Sequence, residues 1–439
     1  MKKVAILGGG MTGLAAGYAS GAPVYEAAPE PGGICSSYYV RPGSTERLAQ
    51  APSDGEAYRF EIGGGHWIFG GDPVVLDLIR SFVPVKSYAR VSSVFFHDTR
   101  RFVPYPLQNN LRFLPPAVAQ AALTELVAPR QSFRTMKEWL RASFGPTLCE
   151  LFFNPFHELY TAGMYERIAP QDAYKSPINL GEVIAGAFDA AKPVGYNTTY
   201  IYPEPGLNML ASRLGAGCDV RYGKRAVTID AKAREVHFAD GTSAGYEKLI
   251  STLPLHETMA MAEFTVDAEP DPYTSVLVLN IGAVRGPECP ADHWLYNAGT
   301  ASGFHRVGFY SNVDTHFLPR SARAENNRVS IYVERAFPGG KRPSAAEARD
   351  YSSAVVSELQ RWGFIAEAEV VDPTWIDVAY TWSWPGSRWV PSAMRALQAE
   401  NIFPVGRYAR WTFQGIADSL RDGLFAGPAL TGAASRGHT

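Results

Sequence analysis

The sequence predicts an α/β fold: a nucleotide-binding parallel sheet whose chain is interrupted by a helical block and by an antiparallel sheet block. Three observations predict it. A strand, a glycine turn, a helix, a second strand and a closing acid follow one another between Val4 and Glu26. A second strand, loop and helix start stand at the far end, from Phe403 to Ala426. Between them, apolar residues recur first at helical and then at strand spacing.

Taken in order, Val4–Leu7 is an apolar run suited to a buried parallel strand. Gly8 permits the tight turn, Gly10 lets the backbone approach a pyrophosphate, and Gly13 lets helix and strand pack closely. The free N–H groups at the helix start then face the phosphates, and Glu26 can accept hydrogen bonds from ribose hydroxyls. Gly13 to Glu26 is a short interval for this motif, so the helix should be clipped, with Gly21 and Pro23 marking its end. A glycine triad alone is also compatible with a purely structural turn; the complete Rossmann-type order is what sets this one apart. After the acid comes Ala27-Ala28-Pro29-Glu30-Pro31-Gly32-Gly33. This second glycine pair, with Gly33 at its end, is usual in FAD-binding chains and keeps side chains out of the flavin's way. At the far end Phe403-Pro404-Val405-Gly406-Arg407 leads to Gln414-Gly415 and a helix start bearing Asp418 and Ser419. That start offers a second set of backbone donors. Two phosphate-directed turns at opposite ends fit one long cofactor, FAD. Val227 is carried as a further cofactor-binding candidate.

Composition bounds the rest. With 439 residues, 46% hydrophobic, 19% charged and a net charge of −2, the chain suits a soluble protein with two or three cores. The near-neutral balance argues against nucleic acid or a membrane surface as partner. Cys35, Cys149, Cys218 and Cys289 are scattered without paired spacing, so neither a zinc site nor a disulfide framework is expected, and His293, His305 and His316 are too far apart for a helical metal face. No signal-peptide pattern and no membrane-length apolar run is seen, which makes the cytoplasm the expected compartment.

The expected organisation is a discontinuous FAD-binding domain (1–70, 196–265 and 395–439), a helical domain (71–195) and a mixed-sheet substrate domain (266–394). In the second, helices are expected over 74–83, 107–114, 117–127, 135–144 and 180–191. A hairpin turn at Ala239-Asp240-Gly241 lies within 218–252, and the run ending at Pro254 is a buried strand. In the third, strands are expected over 275–283, 293–296, 306–311, 329–337 and 369–378, with a helix over 345–363. Such inserts commonly build a substrate cleft over the isoalloxazine.

Three positions could carry chemistry. His66 follows Gly63-Gly64-Gly65, a backbone able to press against a flat ring; it is either a satisfied structural histidine or a group beside the flavin. Strand alternation from Phe304 puts Arg306 on the face of Phe304 and Gly308, away from His305. Arg306 is then snorkelling, paired with a carboxylate, or waiting for an anion. Arg407 sits in the second turn, where it could meet a phosphate.

These residues resemble the UDP-galactopyranose mutase family of flavoenzymes, within the wider amine oxidase and protoporphyrinogen oxidase group. The segments carrying the resemblance are Gly65-His66-Trp67-Ile68-Phe69, Val103-Pro104-Tyr105-Pro106-Leu107-Gln108-Asn109-Asn110, Asn197 with its neighbours through Pro203, Trp294-Leu295-Tyr296, Phe304-His305-Arg306 and the stretch from Phe403 to Arg407. The resemblance implies a FAD-dependent sugar-nucleotide mutase, in which reduced flavin N5 attacks the anomeric carbon and the ring recloses as the furanose. It implies His66, Arg306 and Arg407 as catalytic candidates, and Asn197, Tyr296, Arg306, Trp384 and Phe413 as substrate-binding ones. A nucleotide sugar is the implied substrate, NAD(P)H a candidate reductant and a homodimer a candidate assembly. Phe413 stands where the family has a tyrosine, Trp384-Pro385 where it has a tyrosine–proline pair, and the family's following asparagine is absent. A FAD oxidoreductase of the amine oxidase type acting on a small metabolite therefore remains the alternative.

Overall fold

The computed structural model describes residues 3–126, 132–171, 178–189, 195 and 197–432. Its nucleotide-binding layer is a five-stranded parallel sheet in the order Val220–Arg221, Val24–Tyr25, Val4–Leu7, Lys248–Ser251 and Ile402–Pro404. Strands from the beginning, middle and end of the chain thus meet in one sheet. All four residues of Val4–Leu7 are buried, as a central parallel strand covered on both faces requires. The first helix, Met11–Ser20, ends at Gly21 in the left-handed conformation (φ 72°), the clipped length the sequence indicates. It packs along Ile416–Thr431, and both Gly423 and Gly427 lie against its backbone. A three-stranded antiparallel sheet (Ala226–Asp230, Glu235–Phe238, Ser243–Gly245) shares an apolar cluster with the other face, and its second turn is Ala239-Asp240-Gly241.

The second layer is a seven-stranded sheet in the order Ile365–Thr381, Tyr273–Arg285, Arg328–Pro338, Arg306–Phe309, Trp294–Asn297, Ser92–Phe96 and Arg101–Pro104. Helix Ala345–Arg361, opened by a Ser344–Glu347 capping box, buries Tyr351, Val355 and Leu359 against one face. The other face carries Val276, Val278 and Tyr332 toward the nucleotide-binding layer.

The expected mostly helical pattern of 71–195 is corrected in part. Pro73–Phe82, Pro116–Leu126, Met136–Leu148 and Leu180–Phe188 are helical, but Val85–Ala89, Ser92–Phe96 and Arg101–Pro104 are strands. The last two extend the seven-stranded sheet, while Val85–Ala89 pairs with Thr199–Pro203. The β-branched and aromatic residues of 91–104 favour this outcome over a helix. The segment 107–114 makes two 3₁₀ turns rather than a helix, with Pro106 and Pro115 at its ends and polar residues between. The ends expected at 127 and 191 lie outside the described residues. Among the described residues no helix is long and apolar enough to cross a membrane, and no group of three His, Cys, Asp or Glu could hold a metal ion.

Candidate active site

A cavity of about 460 Å³ runs between the two layers. At one end its wall is backbone: Gly8, Gly10 and Gly33 line it, together with Thr12, Glu26 and Ser419. Helix Met11–Ser20 begins here at Gly10 with no side-chain cap, and helix Ile416–Thr431 begins here at Gly415, so N–H groups from both termini of the chain border one space. A Cβ on Gly10 would meet nothing within 4 Å, whereas one on Gly13 would lie 1.9 Å from the Gly8 carbonyl oxygen. Gly10 therefore keeps the cavity open and Gly13 keeps helix and strand together. The Glu26 carboxylate accepts from Gly9 N (2.5 Å) and Ala28 N (2.7 Å), which fixes it in the cavity wall.

His66 lies further along. Its ring rests over Gly63, where a Cβ would come within 2.3 Å of Cε1, and its Nδ1 is buried with no hydrogen-bond partner among the described residues. Burial and the cations of Arg407 and Arg306 depress its pKa from 6.5 to about 4, so the imidazole is neutral at physiological pH. The sign follows from linkage. An unfolded chain takes up this proton near pH 6.5 while the folded one does not, so this group costs stability as pH falls from about 6.5 toward about 4. The stability advantage of the wild type over His66→Gln should therefore shrink across that window in thermal melts. A gap that is flat or widens would contradict the burial of a neutral imidazole.

Beneath the glycine loop stands a charged cluster. Arg306 and Glu334 face one another on neighbouring strands, and the guanidinium donates Nε to Oε2 (3.0 Å) and Nη2 to both carboxylate oxygens (2.6 Å each). Glu334 is 2% exposed; burial would raise its pKa, but Arg306 and His305 outweigh that and hold it at about 2. His305 Nε2 is 3.5 Å from the same carboxylate, and burial keeps this imidazole's pKa below its usual value. A Cβ on Gly64 would come within 2.8 Å of Glu334 Oε1, which places the cluster directly under the His66 loop. The carboxylate reading of Arg306 is thus what the chain shows, and Arg306 also lines the cavity. The alternation argument fails one residue earlier. The strand starts only at Arg306, so Phe304 packs with Val307 in the core of the sheet while His305 and Arg306 both line the cavity.

Arg407 differs from Arg306. Its hydrogen bonds go to two carbonyls, Gln414 O (3.1 Å) and Ala379 O (2.9 Å), and its guanidinium lies over the rings of Phe413 (4.8 Å), Tyr408 and Tyr380. No carboxylate pairs with it among the described residues. Tyr296, its ring 4.6 Å from that of Tyr105, and Asn197 complete the far wall.

Several candidates fall elsewhere. Val227 is 47% exposed and outside the cavity: the ladder shifts register between Ala226 and Thr228, which leaves Val227 unpaired and turned out, although Ile229 two residues on is buried. Trp384 is outside too: its backbone N–H is tied to Asp271, its indole N–H to Pro270 O, and Arg167 lies over its ring. Gly406 backs onto Thr12, and Asp418 accepts from Gly415 N (3.2 Å) at the helix start; neither lines the cavity. Glu334, Tyr380 and the helix Asn154–Tyr160, which sets Phe156 and Tyr160 in the wall, were not singled out from the sequence. Glu334 had a signal: it is the lone acid of the strand Arg328–Pro338 and directly follows the apolar run Ile331-Tyr332-Val333.

The open backbone at Gly10, the paired helix starts, the fixed Glu26 and the orphaned His66 Nδ1 together fit a flavin dinucleotide laid lengthwise. The fold and this site define a flavin-binding class of α/β protein. The profile of the family described as flavin containing amine oxidoreductase matches residues 22–275, more than half of the chain, and the chain belongs to that family. Among solved structures, a reduced UDP-galactopyranose mutase superposes with a TM-score of 0.83 at 21% identity, over 99% of this chain and 96% of that one. Putrescine oxidase bound to putrescine matches with a TM-score of 0.55 at 16% identity, over 98% and 99%. A CLA-producing fatty acid isomerase from P. acnes gives 0.55 at 15%, over 97% of each. At these identities the likeness is one of fold.

Proposed function

We propose that the chain is a FAD-dependent mutase that interconverts the pyranose and furanose rings of a nucleotide-activated sugar without net redox change. One observation carries the reading: Arg407, a guanidinium with no carboxylate partner among the described residues, shares a cavity with Arg306, and both cations act on the same His66. Arg306 gives Nε and Nη2 to Glu334 and still lines the cavity, so its charge is shared between that carboxylate and whatever enters. The nucleoside diphosphate leaves when its bond to the anomeric carbon breaks and must stay beside the sugar until the ring has reclosed; two fixed guanidinium groups with the Tyr296 hydroxyl would hold it there. Gly8, Gly10, Glu26, Gly33 and Ser419 would hold FAD, which in its reduced form supplies the nucleophile for the anomeric carbon. Neutral His66 borders that position, and the walls of Phe156, Tyr160 and Phe413 exclude water.

Holoenzyme reduced with dithionite or NAD(P)H is incubated with UDP-galactopyranose and other nucleotide sugars, and the products are separated by anion exchange. A ring isomer formed without oxygen uptake is expected; no product from any sugar overturns the reading. Arg407→Ala should weaken UDP binding by about 2–5 kcal/mol, the cost of removing one partner of a desolvated charge pair. Equal affinity of wild type and variant would refute the assignment.

The aromatic lining favours a second reading, an oxidoreductase of the amine oxidase type acting on a small metabolite. Tyr160 and Tyr380 pack 4.8 Å apart beside His305, and the Arg306–Glu334 pair is charge-compensated. Sustained oxygen consumption with an amine or ring substrate would select it.

A further inference from the structure

We infer that Arg90 is a positioning residue that turns the Asn197 side chain so that its amide hydrogens, not its carbonyl, face the substrate. The inference rests on the nucleotide-sugar reading of the cavity. It adds that the substrate atom meeting Asn197 is an acceptor oxygen, a hydroxyl or phosphate oxygen rather than a donor.

Asn197 is 5% exposed, and it lines the cavity. Its Oδ1 accepts from Arg90 Nη1, and no other hydrogen bond of its side chain is formed within the described residues. A guanidinium carries only donors. Turning the amide over would set NH₂ against N–H, so the orientation is dictated by chemistry. The Nδ2 hydrogens are then left with no acceptor among the described residues, on a side chain that lines the cavity. Nδ2 is not enclosed by protein, so it is open to what enters the cavity, and the acceptor comes from there.

Arg90 is well placed to impose this. It is 9% exposed, donates its backbone N–H to Thr198 O (2.9 Å) and Nη2 to Tyr105 O (3.0 Å), and lies over the Tyr105 ring at 5.3 Å. It therefore joins the end of strand Val85–Ala89, the Tyr105 loop and the segment at 197–198. Tyr105 in turn packs on Tyr296. Arg90 does not itself line the cavity, so it acts through Asn197 and Tyr105.

Holoenzymes are titrated with UDP-galactose and with UDP, following the flavin spectrum, alongside melting temperature and flavin content. Asn197→Asp keeps the Arg90 contact, now charge-assisted, but presents only acceptors. It should melt at or above the wild-type temperature and retain flavin, yet bind at least one probe about tenfold or more weakly, because a donor has been replaced by a repelling oxygen. Arg90→Ala frees the amide to rotate and should weaken the same probe several-fold, with Arg90→Lys restoring part of the loss. The double variant should bind no more weakly than Asn197→Asp alone, since both act through one contact. Wild-type affinity in Asn197→Asp, or strict additivity in the double variant, overturns the inference while the reading of the site stands. A wild type that responds to neither these two probes nor other nucleotide sugars overturns that reading, and this inference with it.

Discussion

Arg306→Met is expected to destabilise the flavin-saturated protein by about 3–5 kcal/mol at neutral pH, more through the carboxylate it abandons than through the contacts it loses. Glu334 is 2% exposed and accepts three hydrogen bonds from Arg306. With the guanidinium gone, its nearest cation-capable neighbour is His305, with Nε2 at 3.5 Å and burial favouring the neutral ring. A naked buried carboxylate is the most costly arrangement, so the variant should take up a proton there. The pH dependence gives the sign. In the wild type Glu334 has a folded pKa of about 2 against an ordinary 4.5, so its pairing contributes fully above pH 4.5 and is lost as pH falls toward about 2. The gap between wild type and Arg306→Met should therefore be widest near neutrality and close on acidification. Arg306→Met/Glu334→Leu should recover most of the loss, because an apolar pair replaces an ionic one at little net cost. Denaturation with saturating FAD at several pH values checks both expectations; a double variant no more stable than the single at neutral pH would contradict the argument.

That cluster also shows where sequence reasoning stops. The glycine turn was legible because glycine spacing, apolar run and closing acid are local and, in that order, have one physical use. The second turn was legible only in part: Gly415 and Ser419 border the cavity, whereas Gly406 packs on Thr12. Arg306 could be read only as one of three things, because its partner lies 28 residues away on another strand. The antiparallel register that brings Glu334 opposite it is a tertiary fact. His305 was assigned to the wrong face since alternation holds only inside a strand, and the strand begins one residue later. Trp384 is implied only by its place in a motif, yet its bonds to Asp271 and Pro270 and the Arg167 guanidinium over its ring hold it outside the cavity. The helical pattern of 71–195 hid three strands for a related reason: short apolar runs carry no period long enough to separate the two states.

Gly13→Ala is expected to yield protein that is both less stable and largely colourless, whereas Gly10→Ala should be colourless but stable. A Cβ on Gly13 would lie 1.9 Å from the Gly8 carbonyl oxygen and 3.0 Å from its carbon, both backbone atoms that no rotamer change can move. Relief requires helix Met11–Ser20 to lift off its strand. It cannot do so freely, since Gly423 and Gly427 already bring the second helix so close that their own Cβ atoms would meet Thr12 O at 2.2 Å and Ala16 O at 2.4 Å. A shift of the first helix is therefore passed to the second, and both helix starts at the cavity move apart. Overpacking of this kind costs about 1–3 kcal/mol, a large part of the about 5–15 kcal/mol that holds a domain, and it weakens FAD binding by roughly 5- to 150-fold if the whole cost falls on the holo state. Gly10 has open space where its Cβ would be and a backbone φ of −72° that alanine adopts readily. Its substitution leaves the apoprotein untouched and fills only the room kept for the diphosphate. Visible absorbance per polypeptide, with apoprotein melting temperature, separates the two variants, and full flavin content in Gly10→Ala would mean that the cofactor's phosphates do not pass this turn.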